Sequence, residues 1–81
     1  NRYTIAPQYL ITIIENDTET DEIRCLSAET IGWYYYNYDI NNYIPRLEKI
    51  YNEKNISEDL KNTLLMTIKR LKYGPNYTLT P

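Results

Sequence analysis

The side chains that most often carry catalysis are scarce in this sequence. It has no histidine and one cysteine, Cys25, so it offers no imidazole base, no Ser-His-Asp triad and no multi-thiolate metal site. Its two glycines, Gly32 and Gly74, are too few for a glycine-rich phosphate loop. A tyrosine nucleophile would need a metal ion or an arginine cluster beside it, and the sequence indicates neither. We therefore expect a protein that is not an enzyme and that needs no metal and no cofactor.

The most unusual local feature is an aromatic run, Trp-Tyr-Tyr-Tyr-Asn-Tyr, at residues 33–38. Tyrosine suits binding because its rigid ring offers a large contact area while its hydroxyl stays hydrated. We expect one face of the run to serve the core and the other to contact a protein partner. Two alternatives stay open, namely that all the rings pack inside, or that they stack on nucleic-acid bases. The candidate binding residues are Trp33, Tyr34, Tyr36 and Tyr38.

A run of acidic residues precedes the aromatic run. Asp17, Glu19 and Asp21 alternate as the ligands of a calcium loop do, but the glycine and the terminal glutamate of such a loop are missing. The run is then either a solvated loop or a negative surface that docks onto a basic partner. We include these three residues in the candidate partner-binding set.

Basic residues concentrate in the second half of the chain, which carries a net charge of +3 against −5 for residues 1–40. Lys61, Lys69, Arg70 and Lys72 lie on one predicted helix. They are either a solvated helix face or an alternative site for nucleic acid. The pI near 5.0 argues against a general affinity for nucleic acid.

The first half of the chain is rich in residues that favour strands. Residues 8–15 are β-branched and aromatic and predict a buried strand, residues 16–21 a turn, and residues 22–26 a second strand of a hairpin. Residues 27–32 then predict a turn and residues 33–38 a third strand. An alternative is that a helix beginning at Ser27 takes the place of this turn and third strand.

The second half of the chain predicts two helices. Tyr43, Leu47 and Ile50 recur at helical spacing within residues 43–54. Ser57 is a typical N-cap for a second helix, which Gly74 ends. The predicted fold class is α+β, with a small antiparallel sheet packed against a C-terminal antiparallel helical hairpin. We expect a single domain over residues 1–81, β-rich at 5–38, helical at 42–73 and irregular at 74–81.

The composition also indicates a setting. Asn, Ile, Tyr and Lys make up 35 of 81 residues, which favours an A/T-rich genome such as that of a bacterium, phage or mobile element. The chain has no apolar run long enough to span a membrane, no signal-peptide pattern and a lone cysteine, so we expect a cytoplasmic protein.

These observations favour a small non-catalytic protein-binding module of phage or mobile-element type, acting as an adaptor or inhibitor. Its binding surface would combine the aromatic run with the acidic hairpin. The alternatives are a nucleic-acid-binding module that uses the basic C-terminal helix and a self-associating structural component such as a homodimer.

Overall fold

Helices and turns alone make up residues 6–74, the part of the chain that the computed structural model describes. Because these residues contain no strand, the predicted α+β fold is wrong, and with it the sheet expected over residues 5–38. The elements are α1 at Pro7–Glu15, α2 at Asp21–Ile31, a 3₁₀ helix at Ile40–Asn42, α3 at Ile44–Tyr51 and α4 at Glu58–Tyr73.

The segment predicted as the most buried strand forms α1. Pro7 occupies the start of the helix, where its missing amide costs no hydrogen bond, and Leu10, Ile11 and Ile14 are buried at helical spacing. Isoleucine disfavours a helix by less than about 1 kcal/mol, whereas burying its side chain contributes about 1.5–3 kcal/mol. Packing therefore overrides the β propensity on which the strand prediction rested.

The predicted turn and second strand are replaced by a short loop and α2. The hydroxyl of Thr20 accepts a hydrogen bond from the backbone N–H of Ile23 at 3.3 Å, so Thr20 caps the helix. Asp21 and Glu22 follow in the first turn, where negative charge is favourable. The hairpin of this region thus consists of two helices, α1 and α2, and Asp21 belongs to a helix.

The predicted third strand is a chain of consecutive turns. The backbone N–H of Tyr34 donates to Ile31 O at 3.0 Å, that of Asn37 to Tyr34 O at 2.9 Å, and that of Ile40 to Asn37 O at 3.0 Å. Residues at these three-residue steps point inward, and Ile31, Tyr34 and Ile40 are buried. The alternation expected of a strand is therefore absent. The alternative helix from Ser27 is also wrong, because the helix there begins earlier, at Asp21.

The C-terminal helical hairpin is confirmed. The Ser57 hydroxyl accepts the N–H of Leu60 at 3.1 Å, and α4 ends at Gly74, whose φ of +100° favours glycine. The first helix of the hairpin ends at Tyr51 rather than at residue 54. Lys72 pairs with Glu48 near one end of the hairpin, and Lys61 contacts Tyr51 near the other, so α3 and α4 are antiparallel. Apart from Gly74, the predicted irregular tail lies outside the described residues.

Helices α2 and α4 lie side by side and run in the same direction. The Thr67 hydroxyl donates to Ala28 O at 2.8 Å, and one turn further on Arg70 lies against Gly32. A Cβ atom at Gly32 would come within 3.3 Å of Nη1 of Arg70, so glycine allows this close approach. An open groove runs along this helix pair. Within residues 6–74, no helix combines the length and apolar character that crossing a membrane requires.

Candidate functional site

The aromatic loop, residues 33–38, connects α2 to the 3₁₀ helix and exposes most of its rings. Tyr36 and Tyr38 are 69% and 94% exposed, and Trp33 and Tyr35 are partly exposed. Tyr34 is only 5% exposed and belongs to the hydrophobic core. The structure therefore places Tyr34 in the core, apart from the exposed rings of the predicted binding set.

The buried and exposed rings of the aromatic loop contact each other. The ring of Tyr36 stacks on that of Tyr34 with centroids 6.2 Å apart, and meets the ring of Tyr35 edge-on at 5.6 Å. Both arrangements are favourable for aromatic pairs. The core residue Tyr34 thus fixes the position of a ring that faces solvent.

Trp33 begins the aromatic loop and contacts α4. The guanidinium carbon of Arg70 lies 4.4 Å from the centre of the Trp33 ring, a cation–π contact. This contact joins the loop to the last turns of α4. Arg70 therefore lies apart from Lys61, Lys69 and Lys72, the other members of the predicted nucleic-acid site on α4.

An open groove of about 680 Å³ lies between α2, from its first turn to Glu29, and the N-terminal half of α4; we call it the acidic groove. Carboxylates line both of its sides, and exposed Leu26 and partly buried Cys25 supply apolar surface between them. The groove continues past Met66 toward Trp33 and Arg70. The four carboxylates belong to Asp21, Glu22, Glu29 and Asp59.

The thiol of Cys25 lies in this groove, and its surroundings raise its pKa. Burial is the largest cause that raises the pKa of its thiol, and the carboxylates of Asp21 and Asp59 raise it further. A hydrogen bond with Thr63 opposes this shift. Because the thiol pKa lies above its ordinary value, Cys25 is not activated as a nucleophile. The structure places it at the edge of the core, partly buried.

The structure separates the predicted acidic residues. Asp17 and Glu19 lie in the loop between α1 and α2, and Asp17 lines a different hollow, beside Arg24. Asp21 lines the acidic groove at the first turn of α2, about 18 Å along the helix direction from Trp33. Asp17 and Glu19 therefore do not form one patch with the aromatic loop, and Asp21 is connected to Trp33 only along the acidic groove.

The basic residues of α4 are divided between two sides of the helix. Lys61, Lys69 and Lys72 lie toward α3, away from Arg70. The Lys61 ammonium donates to Tyr51 O at 3.1 Å, and Lys69 lies 5.6 Å from the Tyr73 ring. Lys72 is 2.8 Å from a Glu48 carboxylate oxygen, whose hydrogen bond raises the Lys72 pKa.

The sequence does not predict the groove, because its β-branched residues predict a strand and a turn over most of α2. Glu22, Leu26 and Glu29 repeat at helical spacing and mark one side of α2, and Trp33, just beyond the end of the helix, continues the repeat. On α4, Asp59, Thr63, Met66 and Arg70 repeat in the same way. With α2 predicted as a helix, these two stripes would have been recognisable in the sequence.

Among residues 6–74, no three His, Cys, Asp or Glu side chains are grouped so that they could hold a metal ion. No protein-family model matches the chain, and no curated protein or solved structure is significantly similar to it.

Proposed function

We propose that this protein is a non-catalytic protein-binding module whose aromatic loop contacts the partner. The observation that carries the proposal is the exposure of Tyr36 and Tyr38 on a loop whose backbone is fixed by successive turns. Large rings exposed on an ordered loop offer contact area at a low cost in conformational entropy. An adaptor or inhibitor role fits a chain that has no histidine and a single cysteine.

The charge around the loop favours protein over nucleic acid as the partner. Residues 33–38 contain no Lys or Arg, whereas base-stacking surfaces work beside positive grooves. Among residues 6–74, Arg70 contacts the loop, and it is engaged with the Trp33 ring. The basic residues toward α3 are the surface that a nucleic-acid-binding function would use instead.

The test is capture of partners from a lysate of the source cells by the tagged protein, with and without nuclease, read by mass spectrometry. The double variant Tyr36→Ala/Tyr38→Ala should remain folded and lose the partner, because it removes two exposed rings and leaves every buried side chain in place. Tyr9→Ala/Tyr73→Ala is the matched control, since both of these tyrosines are 62% exposed and lie outside the loop.

A protein that survives nuclease, is retained by the control variant and is lost from the loop variant supports the proposal. Captured material that disappears with nuclease would favour the nucleic-acid alternative. Capture of the chain by itself would favour self-association. A partner that both double variants retain equally would contradict the role of the aromatic loop.

A further inference from the structure

The acidic groove is a second exposed surface, and its charge is unbalanced. The ion pairs found within residues 6–74 join Arg46 to Glu15 and Lys72 to Glu48, and neither involves a groove carboxylate. No Lys or Arg lines the part of the groove between Asp21 and Glu29. Within residues 6–74, none of the four groove carboxylates forms an ion pair with Lys or Arg, and Arg70, which lines the adjoining hollow beside Glu29, is stacked on Trp33.

Helix stability accounts for some of these carboxylates but not for all of them. Asp21, Glu22 and Asp59 lie in first turns, where negative charge complements the helix dipole. Glu29 lies in the last turn of α2, where the same dipole disfavours negative charge. The carboxylate of Glu29 therefore adds a negative charge to the groove but destabilises the C-terminal end of α2.

Apolar side chains complete the groove. Leu26 and Met66 are exposed, and they lie along the groove on α2 and α4 respectively. Both are large aliphatic side chains of the kind that proteins usually bury. A surface of this composition matches a segment that carries apolar residues on one side and Lys or Arg at the edges.

We propose that the acidic groove docks a basic amphipathic segment of the partner protein, an inference that rests on the proposed function. The apolar side of that segment packs on Leu26, Cys25 and Met66, and its cations reach the carboxylates on α2 and α4. Trp33 and Arg70 limit the groove at its far end, which brings the docked segment close to the aromatic loop.

The experiment is an NMR titration of the labelled protein with an amphipathic Leu/Lys peptide about four helical turns long. The same peptide with Glu in place of Lys is the control ligand. The Leu/Lys peptide should shift the amide signals of Cys25, Glu29 and Thr63 and should saturate, while the Leu/Glu peptide should not bind. Signals that move on dilution without any peptide would mean that a second copy occupies the groove, which would overturn the inference.

Two charge-matched variants locate the site. Glu22→Gln/Glu29→Gln should raise the dissociation constant about fivefold to thirtyfold, because two charge contacts are lost. Glu19→Gln/Glu53→Gln removes the same charge outside the groove and should change it by less than about twofold. Leu26→Ser should weaken binding without changing the charge. An equal loss from both charge variants, or no loss from Leu26→Ser, would show general attraction to an acidic protein and overturn the inference.

The loop variant Tyr36→Ala/Tyr38→Ala separates this inference from the proposed function. It should bind the Leu/Lys peptide as the wild type does and fail only in capture of the partner. If the peptide does not bind the groove while partner capture still depends on the loop, the groove inference is contradicted and the proposed function is supported. If the peptide binds the groove but the loop variant captures the partner normally, the proposed role of the loop falls instead.

Discussion

The aromatic loop follows the C-terminal end of α2, whereas the acidic groove runs along α2 beside the N-terminal half of α4, and the two surfaces are built by different means. The groove is formed by regular helices, so helical spacing alone decides which side chains line it. The loop has no such repeat, and its exposed rings depend on inward residues such as Tyr34 and Ile40. The shape of the loop surface therefore depends on core residues, whereas the properties of the groove surface depend on the charges of its side chains.

The largest effect is expected from removing the core ring of the loop. Tyr34→Ala should lower the free energy of unfolding by about 3–5 kcal/mol, because it leaves a cavity and removes the support of Tyr36. Tyr38→Ala, four residues away and exposed, should change it by less than about 0.5 kcal/mol. Urea unfolding followed by circular dichroism measures both values. Equal effects of the two variants would contradict the description of a loop held by its inward residues.

A smaller effect is expected in the chemistry of the groove. Because the Cys25 pKa lies above its ordinary value, less thiolate is present at a given pH, and alkylation by iodoacetamide should be slower than for the urea-unfolded chain. The rate should rise as the pH approaches the raised pKa. The stabilisation linked to this shift is present below the ordinary thiol pKa and is lost as the pH rises through the folded value.

Asp59→Asn should speed this alkylation at a fixed pH, because it removes one of the carboxylates that raise the thiol pKa. Glu53→Asn, outside the groove, is the control and should leave the rate unchanged. A folded protein that reacts as fast as the unfolded chain would contradict the raised thiol pKa, and an unchanged rate in Asp59→Asn would contradict the negative field of the groove.

The same contrast explains what the sequence could predict. The C-terminal hairpin was predictable because Ser57, its apolar stripe and Gly74 all indicate one helix. The first half was not, because Ile11, Ile13 and Ile14 favour a strand locally and only their packing selects a helix. Thr20 followed by Asp21 and Glu22 is a helix start that the β-branched neighbours obscured. The buried position of Tyr34 depends on consecutive turns that carry no glycine or proline signal within residues 33–39.

Calorimetric titration of the captured partner at increasing salt tests most directly whether the loop and the groove make different kinds of contact. The titration compares the wild type with the groove variant Glu22→Gln/Glu29→Gln and the loop variant Tyr36→Ala/Tyr38→Ala. The wild-type affinity should fall with salt, because the groove contributes charge contacts. The groove variant should show a flatter salt dependence, and the loop variant should be weaker at every salt concentration with an unchanged slope. If the two variants alter the affinity and the slope alike, the separation of an aromatic contact from an electrostatic one is contradicted.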